Sequence, residues 1–211
     1  MILKEIGMIF MIKKILILLT VSSCSVIGFG ELPGLIRDTI NGRDIEITNE
    51  FFQTQPYSFA KVNIGRNIVA ITVLASIKDD VYLWVSSDNE RIYTKNGKII
   101  ETFGLKHDIK YLNIEDIHFQ RFSAFESSVN NTLLLELDDP KAVINYSYEI
   151  DELGIDPDFF NTMSYEEKFR SSKLSWNGRN NYWVDIRGRV VKSKQFIHPM
   201  MPEITMEFYY K

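Results

Sequence analysis

Hydrophobic and polar residues alternate along much of the chain after residue 58. The pattern is clearest over residues 142–150, where alanine, isoleucine and tyrosine at even positions alternate with mostly polar residues at odd positions. The same alternation is present over residues 132–137 and 204–210. A repeat of two residues puts neighbouring side chains on opposite faces and predicts β-strands. Residues 68–77 are apolar and β-branched on both faces, which predicts a strand covered on both sides.

Short turn signals separate these strand-like segments. The separating pairs are Asp79-Asp80, Asp88-Asn89, Asn96-Gly97 and Arg187-Gly188. Asn-Gly is the strongest signal among them, because a two-residue type I′ turn needs a positive φ at both central residues. We therefore predict an antiparallel meander over residues 58–103 and a further hairpin around Arg187-Gly188.

Helical signals are sparse. Residues 157–173 are predicted to form a helix, because Asp156-Pro157 suits a first turn and charged residues follow at 166–168. Residues 32–41 are compatible with one or two helical turns. Many short antiparallel strands with little helix imply an all-β fold, built as a barrel or a sandwich, with one or two short helices.

The amino-terminal segment has the features of a bacterial export signal. Lys13 and Lys14 precede the apolar run 15–21, and Val21-Ser-Ser-Cys24 resembles a lipobox. We predict a lipoprotein signal peptide over residues 1–23, a lipidated tether over 24–31 and a single β-rich domain over 32–211. Cys24 is then the site of acylation by chains such as palmitate, rather than a small buried apolar residue. The residue after the lipidated cysteine is Ser25, as in outer-membrane lipoproteins. An aspartate at this position would favour the inner membrane.

Charge and motif content exclude several classes of function. The formal net charge of −4 gives no broad cationic surface for nucleic acid. The three histidines, His107, His118 and His198, are scattered, so no metal site is expected. There is no nucleophile elbow, dinucleotide fingerprint or phosphate-binding loop. These observations predict no catalytic residues and no cofactor.

Aromatic residues on or beside strands are the remaining functional hint. Flat rings suit stacking against sugars, which makes these residues candidates for contact with a glycan or a partner; they are Trp84, Trp176, Tyr182 and Trp183. Packing in the core is the alternative, and the usual role of aromatic residues favours it. Residues 175–181 are predicted to form a polar loop, and Trp183 is predicted to face away from Tyr182 and Val184. Arginine and lysine within 187–194 suit acidic sugars, with a solvated strand face as the alternative.

Two blocks resemble the YjbF/GfcB lipoproteins. The first is YLWVSSDNERIYTKNGKIIETFGL at 82–105, and the second is NYWVDIRGRVVKSKQ at 181–195, running on to Pro199. Lys98 stands where this family has arginine, and Arg187 where it has a small polar residue. The resemblance implies an outer-membrane lipoprotein of mainly β-barrel-like fold, associated with group 4 capsule and exopolysaccharide operons. It implies no catalytic residues.

Three hypotheses of function follow. The first is a non-enzymatic accessory lipoprotein in capsule or exopolysaccharide assembly or export, held at the outer membrane by its lipid, facing the periplasm and contacting polysaccharide or export proteins. The second is a periplasmic carbohydrate-active enzyme, such as a glycan hydrolase, which would need two carboxylates in a cleft. The third is a purely structural partner in the cell envelope.

Overall fold

The described part of the chain forms a closed barrel of antiparallel strands. The structure is a computed structural model, and it describes residues 46–66, 68–113, 131–156, 159 and 162–211. The strands in these ranges are β1 (Phe59–Ile64), β2 (Ile68–Lys78), β3 (Val81–Val85), β4 (Arg91–Lys95), β5 (Lys98–Phe103), β6 (Ile109–Tyr111), β7 (Asn131–Asp138), β8 (Lys141–Ile155), β9 (Met163–Ser171), β10 (Trp176–Val184), β11 (Val190–Gln195) and β12 (Ile204–Tyr209). The predicted all-β, barrel-like architecture is confirmed.

Each strand pairs with its neighbours in sequence, and β12 returns to pair with β1. The closing pair aligns residues 59–64 with residues 204–209 in reverse order. Closure gives every described strand a neighbour on both sides, so none of them is an edge strand. A short helix, α1 (Asn49–Thr54), covers the outside of this seam: the Phe51 ring packs edge-on against Phe59, and Phe59 in turn stacks on Tyr209 with centroids 4.8 Å apart.

The meander gives the barrel two distinct ends. The end where α1 leads into β1, with the connections that follow β2, β4, β8 and β10, is here called the helix end. The opposite end carries the connections that follow β3, β5, β7, β9 and β11, and it is called the histidine end because His107 and His198 lie there. In the described ranges, no helix is long and apolar enough to cross a membrane.

The predicted turns are found where the sequence placed them. Asp79 and Asp80 both have positive φ between β2 and β3, and so do Asn96 and Gly97 between β4 and β5. This is the backbone that a type I′ hairpin requires. Gly188, with φ of 76°, lies in the connection between β10 and β11.

The helix predicted at 157–173 was wrong, because most of that segment is strand β9. Tyr165, Glu167 and Phe169 all point into the barrel with a period of two. Glu167 is the reason that the alternation was missed. A glutamate beside Glu166 and Lys168 suggests a solvated helix face, whereas Glu167 is a buried charge. The possible helical turns at 32–41 lie outside the described residues.

Residues 68–77 form the predicted strand, although only part of β2 is covered on both sides. Ile71 and Thr72 are adjacent in sequence and both buried, so both faces are covered there. From Ala75 onward the strand is exposed, and Ile77 has 55% of its surface accessible.

Large side chains fill the barrel interior. Trp84, Tyr146, Tyr182 and Met206 have no accessible surface. Polar atoms among them have partners: the Trp84 Nε1–H donates to Thr94 Oγ1 at 2.9 Å. The Gln195 side chain bridges the interior to β5, accepting from the Ile99 backbone N–H and donating to the Gly97 carbonyl. Pairing of this kind is needed because an unpaired polar group in a core is costly.

An ion pair lies at the centre of the interior. Lys98 Nζ and Glu167 Oε1 are 2.6 Å apart, with side-chain exposures of 1% and 0%. The hydroxyls of Tyr146 and Tyr182 each donate to the Glu167 carboxylate at 2.6 Å. The Lys98 ammonium also lies 4.7 Å from the centroid of the Tyr146 ring, a cation–π contact. Both charges are therefore compensated away from water.

The electrostatics keep this carboxylate ionised. Burial by itself would raise the pKa of Glu167, but the Lys98 ammonium and the hydrogen bonds from Lys98, Tyr146 and Tyr182 hold the pKa below its ordinary value. Burial lowers the pKa of Lys98, and the charge of Glu167 opposes that shift. Burial, followed by the charge of Glu167, raises the pKa of Tyr182 well above its usual range, so Tyr182 remains a donor.

The β4–β5 turn supplies a test of packing at the helix end. An added Cβ on Gly97 would lie 2.5 Å from Val190 Cγ1, whereas one on Gly188 would meet nothing within 4 Å. Both glycines have nearly the same positive φ. We expect Gly188→Ala to cost about 1–2 kcal/mol of unfolding free energy from backbone strain, and Gly97→Ala to cost about 1–3 kcal/mol more from overpacking. Urea denaturation measures both. Equal losses would contradict the tight contact with Val190.

The interior ion pair supplies a second test. Lys98→Met and Glu167→Gln should each cost about 3–5 kcal/mol of unfolding free energy, because each leaves one charge buried without its partner. The double variant should cost less than the sum of the two single variants. The control is the surface pair Lys110–Glu101, at 2.9 Å with exposures of 49% and 32%, where the same substitutions should cost less than about 1 kcal/mol each. Additive losses at Lys98 and Glu167 would refute the coupling.

Candidate functional site

Two of the four aromatic candidates lie inside the barrel. Trp84 and Tyr182 are both fully buried, with their polar atoms bonded to Thr94 and Glu167 respectively. This corrects the prediction that they contact a glycan or a partner, because neither presents any surface. The core-packing alternative holds for both residues.

Trp176 is half-buried at the histidine end. It is the first residue of β10, so the polar loop predicted over 175–181 was wrong. The turn before it is made by Ser175, which has a positive φ of 51°. The Trp176 ring packs edge-on against Phe169 with centroids 4.8 Å apart, and more loosely against Tyr146. Trp176 therefore caps the aromatic interior more than it faces solvent.

Trp183 faces outward, as predicted from its alternation with the buried Tyr182 and Val184. Its indole N–H donates to the carboxylate of Asp156. Lys192 lies directly opposite on β11, and its Nζ is 4.6 Å from the Phe159 ring centroid and 5.5 Å from that of Trp183. The ring is thus held in one orientation from two sides.

Trp183, Phe159, Lys192 and Lys194 together form what we call the Trp183 face. Lys194 Nζ lies 5.9 Å from the Trp183 centroid. Lys192 is also 3.4 Å from Glu207 Oε1, so part of its charge is already compensated. An aromatic ring with ammonium groups within about 6 Å of its centroid combines an aromatic surface with counter-charges. Chemically, this combination suits a sugar that carries a carboxylate.

The histidine end contains features that the sequence did not reveal. A cavity of about 340 Å³ opens there, lined mainly by apolar residues of β1, β2 and β4, with Leu105, Lys106, Met200 and Met201 from the connections. His107 and His198, next to those connection residues, stack with ring centroids 4.8 Å apart and planes within 7°. They come from loops distant in sequence, so residue spacing carried no signal of their meeting.

Asp108 holds the loop that carries His107. Its carboxylate accepts hydrogen bonds from Thr102 Oγ1 and from the backbone N–H groups of Gly104 and Leu105. Its own backbone N–H donates to Asp138 Oδ1 at 2.8 Å. Burial, and then the neighbouring His107, lower the pKa of His198, while Asp138 and Asp139 oppose that shift. These contacts place two imidazoles and the Asp138 carboxylate side by side.

The carboxylates of the described residues differ in their surroundings at the two places where a glycan hydrolase would be sought, the histidine-end cavity and the barrel interior. Glu90 is the one carboxylate in the lining of the histidine-end cavity, as far as the structure describes it. Glu167, the fully buried carboxylate of the described residues, is neutralised by Lys98 inside the barrel. A substrate therefore has no route to it through the packed interior.

Comparisons with known proteins agree with the barrel. A family model described as "Group 4 capsule polysaccharide lipoprotein gfcB, YjbF" matches residues 25–209. The uncharacterized lipoprotein YjbF of Escherichia coli K12 is 21% identical over 192 residues, which is 87% of this chain and 89% of that protein.

A solved structure has the same fold. The crystal structure of the hypothetical lipoprotein YmcC from Escherichia coli K12 superposes with a TM-score of 0.69 at 20% identity, covering 84% of this chain and 92% of the other. The match of the family model spans most of the sequence and includes both blocks that carry the resemblance. The chain therefore belongs to the YjbF family of group 4 capsule polysaccharide lipoproteins.

Proposed function

We propose that this chain is a non-enzymatic accessory lipoprotein of the outer membrane that assists capsule or exopolysaccharide assembly or export from the periplasmic side. The observation that carries the proposal is the family match over residues 25–209, which begins directly after Cys24. A diacylglycerol on Cys24 and a further acyl chain would tether the barrel, because two or more chains give stable anchoring.

The packed interior supports a binding role over catalysis. Trp84, Tyr146 and Tyr182 fill the barrel, and Lys98 and Glu167 neutralise each other there. Recognition then has to use the outer wall or the ends of the barrel. Neither the carboxylate geometry nor the motif content of the sequence favours the glycan hydrolase.

The Trp183 face is our candidate for contact with polysaccharide. The indole is fixed by Asp156 and by Lys192, so binding would order few additional side chains. An acidic sugar could place its apolar face near the ring and its carboxylate near Lys192 or Lys194. Trp176 is half-buried as Trp183 is, and its ring packs edge-on against Phe169.

The proposed anchor predicts a change in acylation. Cys24→Ser should abolish incorporation of a fatty-acid analogue in growing cells, because the thiol that accepts the diacylglycerol is lost. Ser23→Ala is the matched control, since it keeps a small residue before the cysteine. Equal labelling of the Cys24 variant and the wild type would refute acylation at this residue.

The proposed glycan contact predicts a loss of affinity on the outer wall. Trp183→Ala should weaken binding of polysaccharide purified from the producing organism by about tenfold, a loss of about 1.4 kcal/mol. Isothermal titration calorimetry of the acylated protein in detergent measures it. Phe103→Ala is the control, because Phe103 is 58% exposed and has Arg91 5.4 Å from its ring, an aromatic–cation pair elsewhere on the barrel. Equal losses in both variants, or wild-type binding by Trp183→Ala, would contradict recognition by this face.

A further inference from the structure

Three connections at the histidine end bring together side chains that suit a metal ion. His107 comes from the β5–β6 connection, Asp138 from the end of β7, and His198 from the β11–β12 connection. One donor atom from each residue lies within 4.8 Å of the other two. Both imidazoles are buried, at 4% and 0% exposure, whereas Asp138 is exposed. Solvent thus reaches the group from the side of the carboxylate.

The ring of His107 is already oriented as metal-binding histidines usually are. Its Nδ1 lies 3.1 Å from the backbone carbonyl oxygen of Asp139, and a carbonyl can only accept, so Nδ1 carries the proton. The lone pair is therefore on Nε2. A hydrogen bond from the second ring nitrogen to a carbonyl is the common support of a histidine ligand, because it fixes both tautomer and orientation.

The second imidazole has an unsatisfied nitrogen. His198 Nδ1 accepts a hydrogen bond from the Met200 backbone N–H at 3.1 Å. Its Nε2 is buried and has no hydrogen-bond partner among the described residues. A buried polar atom without a partner calls for an explanation, since nearly all such atoms in folded proteins are paired. No protein group among the described residues therefore competes with a ligand for this nitrogen.

We infer that His107, His198 and Asp138 bind a divalent transition-metal ion, with Zn²⁺ the best match. Two imidazole nitrogens and one carboxylate oxygen are a donor set that zinc sites use, and three protein ligands leave one position for water. Metal–ligand bonds of about 2.0–2.2 Å require the three donor atoms to draw closer than 4.8 Å. His107 and His198 lie in connections and Asp138 is the last residue of β7, so such movement disturbs the sheet little.

Binding through His198 Nε2 also exchanges one hydrogen bond. In the neutral ring Nε2 carries the proton, because Nδ1 accepts from Met200. Coordination places that proton on Nδ1, where it would face the Met200 N–H, so the contact is given up and the His198 ring has to turn until Nδ1–H points to another acceptor. Met200 is 63% exposed, so its amide can bond to water instead. The ion would then tie the three connections together beside the apolar cavity.

Metal titration of the acylated protein, purified without a polyhistidine tag and treated with chelator, tests the site. We expect Zn²⁺ and Co²⁺ to bind one equivalent, Zn²⁺ to raise the melting temperature, and Co²⁺ to show the visible absorption of a tetrahedral site. His198→Gln and Asp138→Asn should each weaken binding at least tenfold and remove the Co²⁺ absorption. Asp138→Asn keeps the oxygen that accepts from the Asp108 N–H, so this variant should fold even if His198→Gln does not.

Asp88→Asn is the matched control, because Asp88 is an exposed carboxylate in the β3–β4 connection at the same end of the barrel. It should bind metal as the wild type does. Absence of saturable binding by the wild type would overturn the inference. So would unchanged binding by Asp138→Asn, or an equal loss in Asp88→Asn, since either would show that metal is held elsewhere.

Discussion

The ion pair between Lys98 and Glu167 is the constraint around which the barrel is organised. Two opposite charges lie 2.6 Å apart with almost no contact with water. Removing two charges from water costs about as much free energy as their attraction provides. Such a pair therefore stabilises a fold only when the remaining donors and acceptors of both groups are also hydrogen-bonded. Here Tyr146 and Tyr182 donate to the carboxylate, and tyrosine rings surround the ammonium. Four tyrosines, Tyr111, Tyr146, Tyr148 and Tyr182, thus make a buried charge pair tolerable.

This interior directs function to the surface. The barrel encloses a close-packed polar and aromatic core, so a ligand cannot pass through its centre. What remains available is the outer wall, where Trp183 is held between Asp156 and Lys192, and the histidine end, with its cavity and paired imidazoles. The two regions are of different kinds, since one suits an extended polymer and the other a small ligand.

The contacts of Lys98 explain why a positive charge is needed at this position. The related lipoproteins were expected to carry arginine after the Asn-Gly turn, and lysine retains the positive charge there. In the structure the charge is needed because Glu167 faces it from β9, 69 positions further along the sequence. A lysine satisfies one carboxylate oxygen as a point charge, whereas an arginine would contact it through a planar fork. The hydroxyls of Tyr146 and Tyr182 supply the remaining hydrogen bonds to the Glu167 carboxylate.

Local sequence was sufficient for the parts of the fold that depend on neighbouring residues. Alternation over 142–150 and 204–210 defined strands, and the Asn96-Gly97 pair defined a hairpin, because side-chain period and backbone φ are local properties. The same reasoning placed Trp183 on the outer face. It failed at 157–173, where Glu167 resembled a surface residue: the partner that makes its burial possible lies on a distant strand. It also placed Trp84 and Tyr182 among surface candidates, since period alone does not say which face is inside.

The sequence by itself determined a lipobox-like start, an antiparallel β architecture and the membership of a lipoprotein family, all of which rest on short contiguous patterns. Only the tertiary structure decided that twelve strands close on themselves, that Lys98 meets Glu167 and that His107 stacks on His198. These three outcomes share one physical reason. Each is a contact between segments far apart in the chain, and its energy arises from burial and pairing that exist only once the barrel has closed.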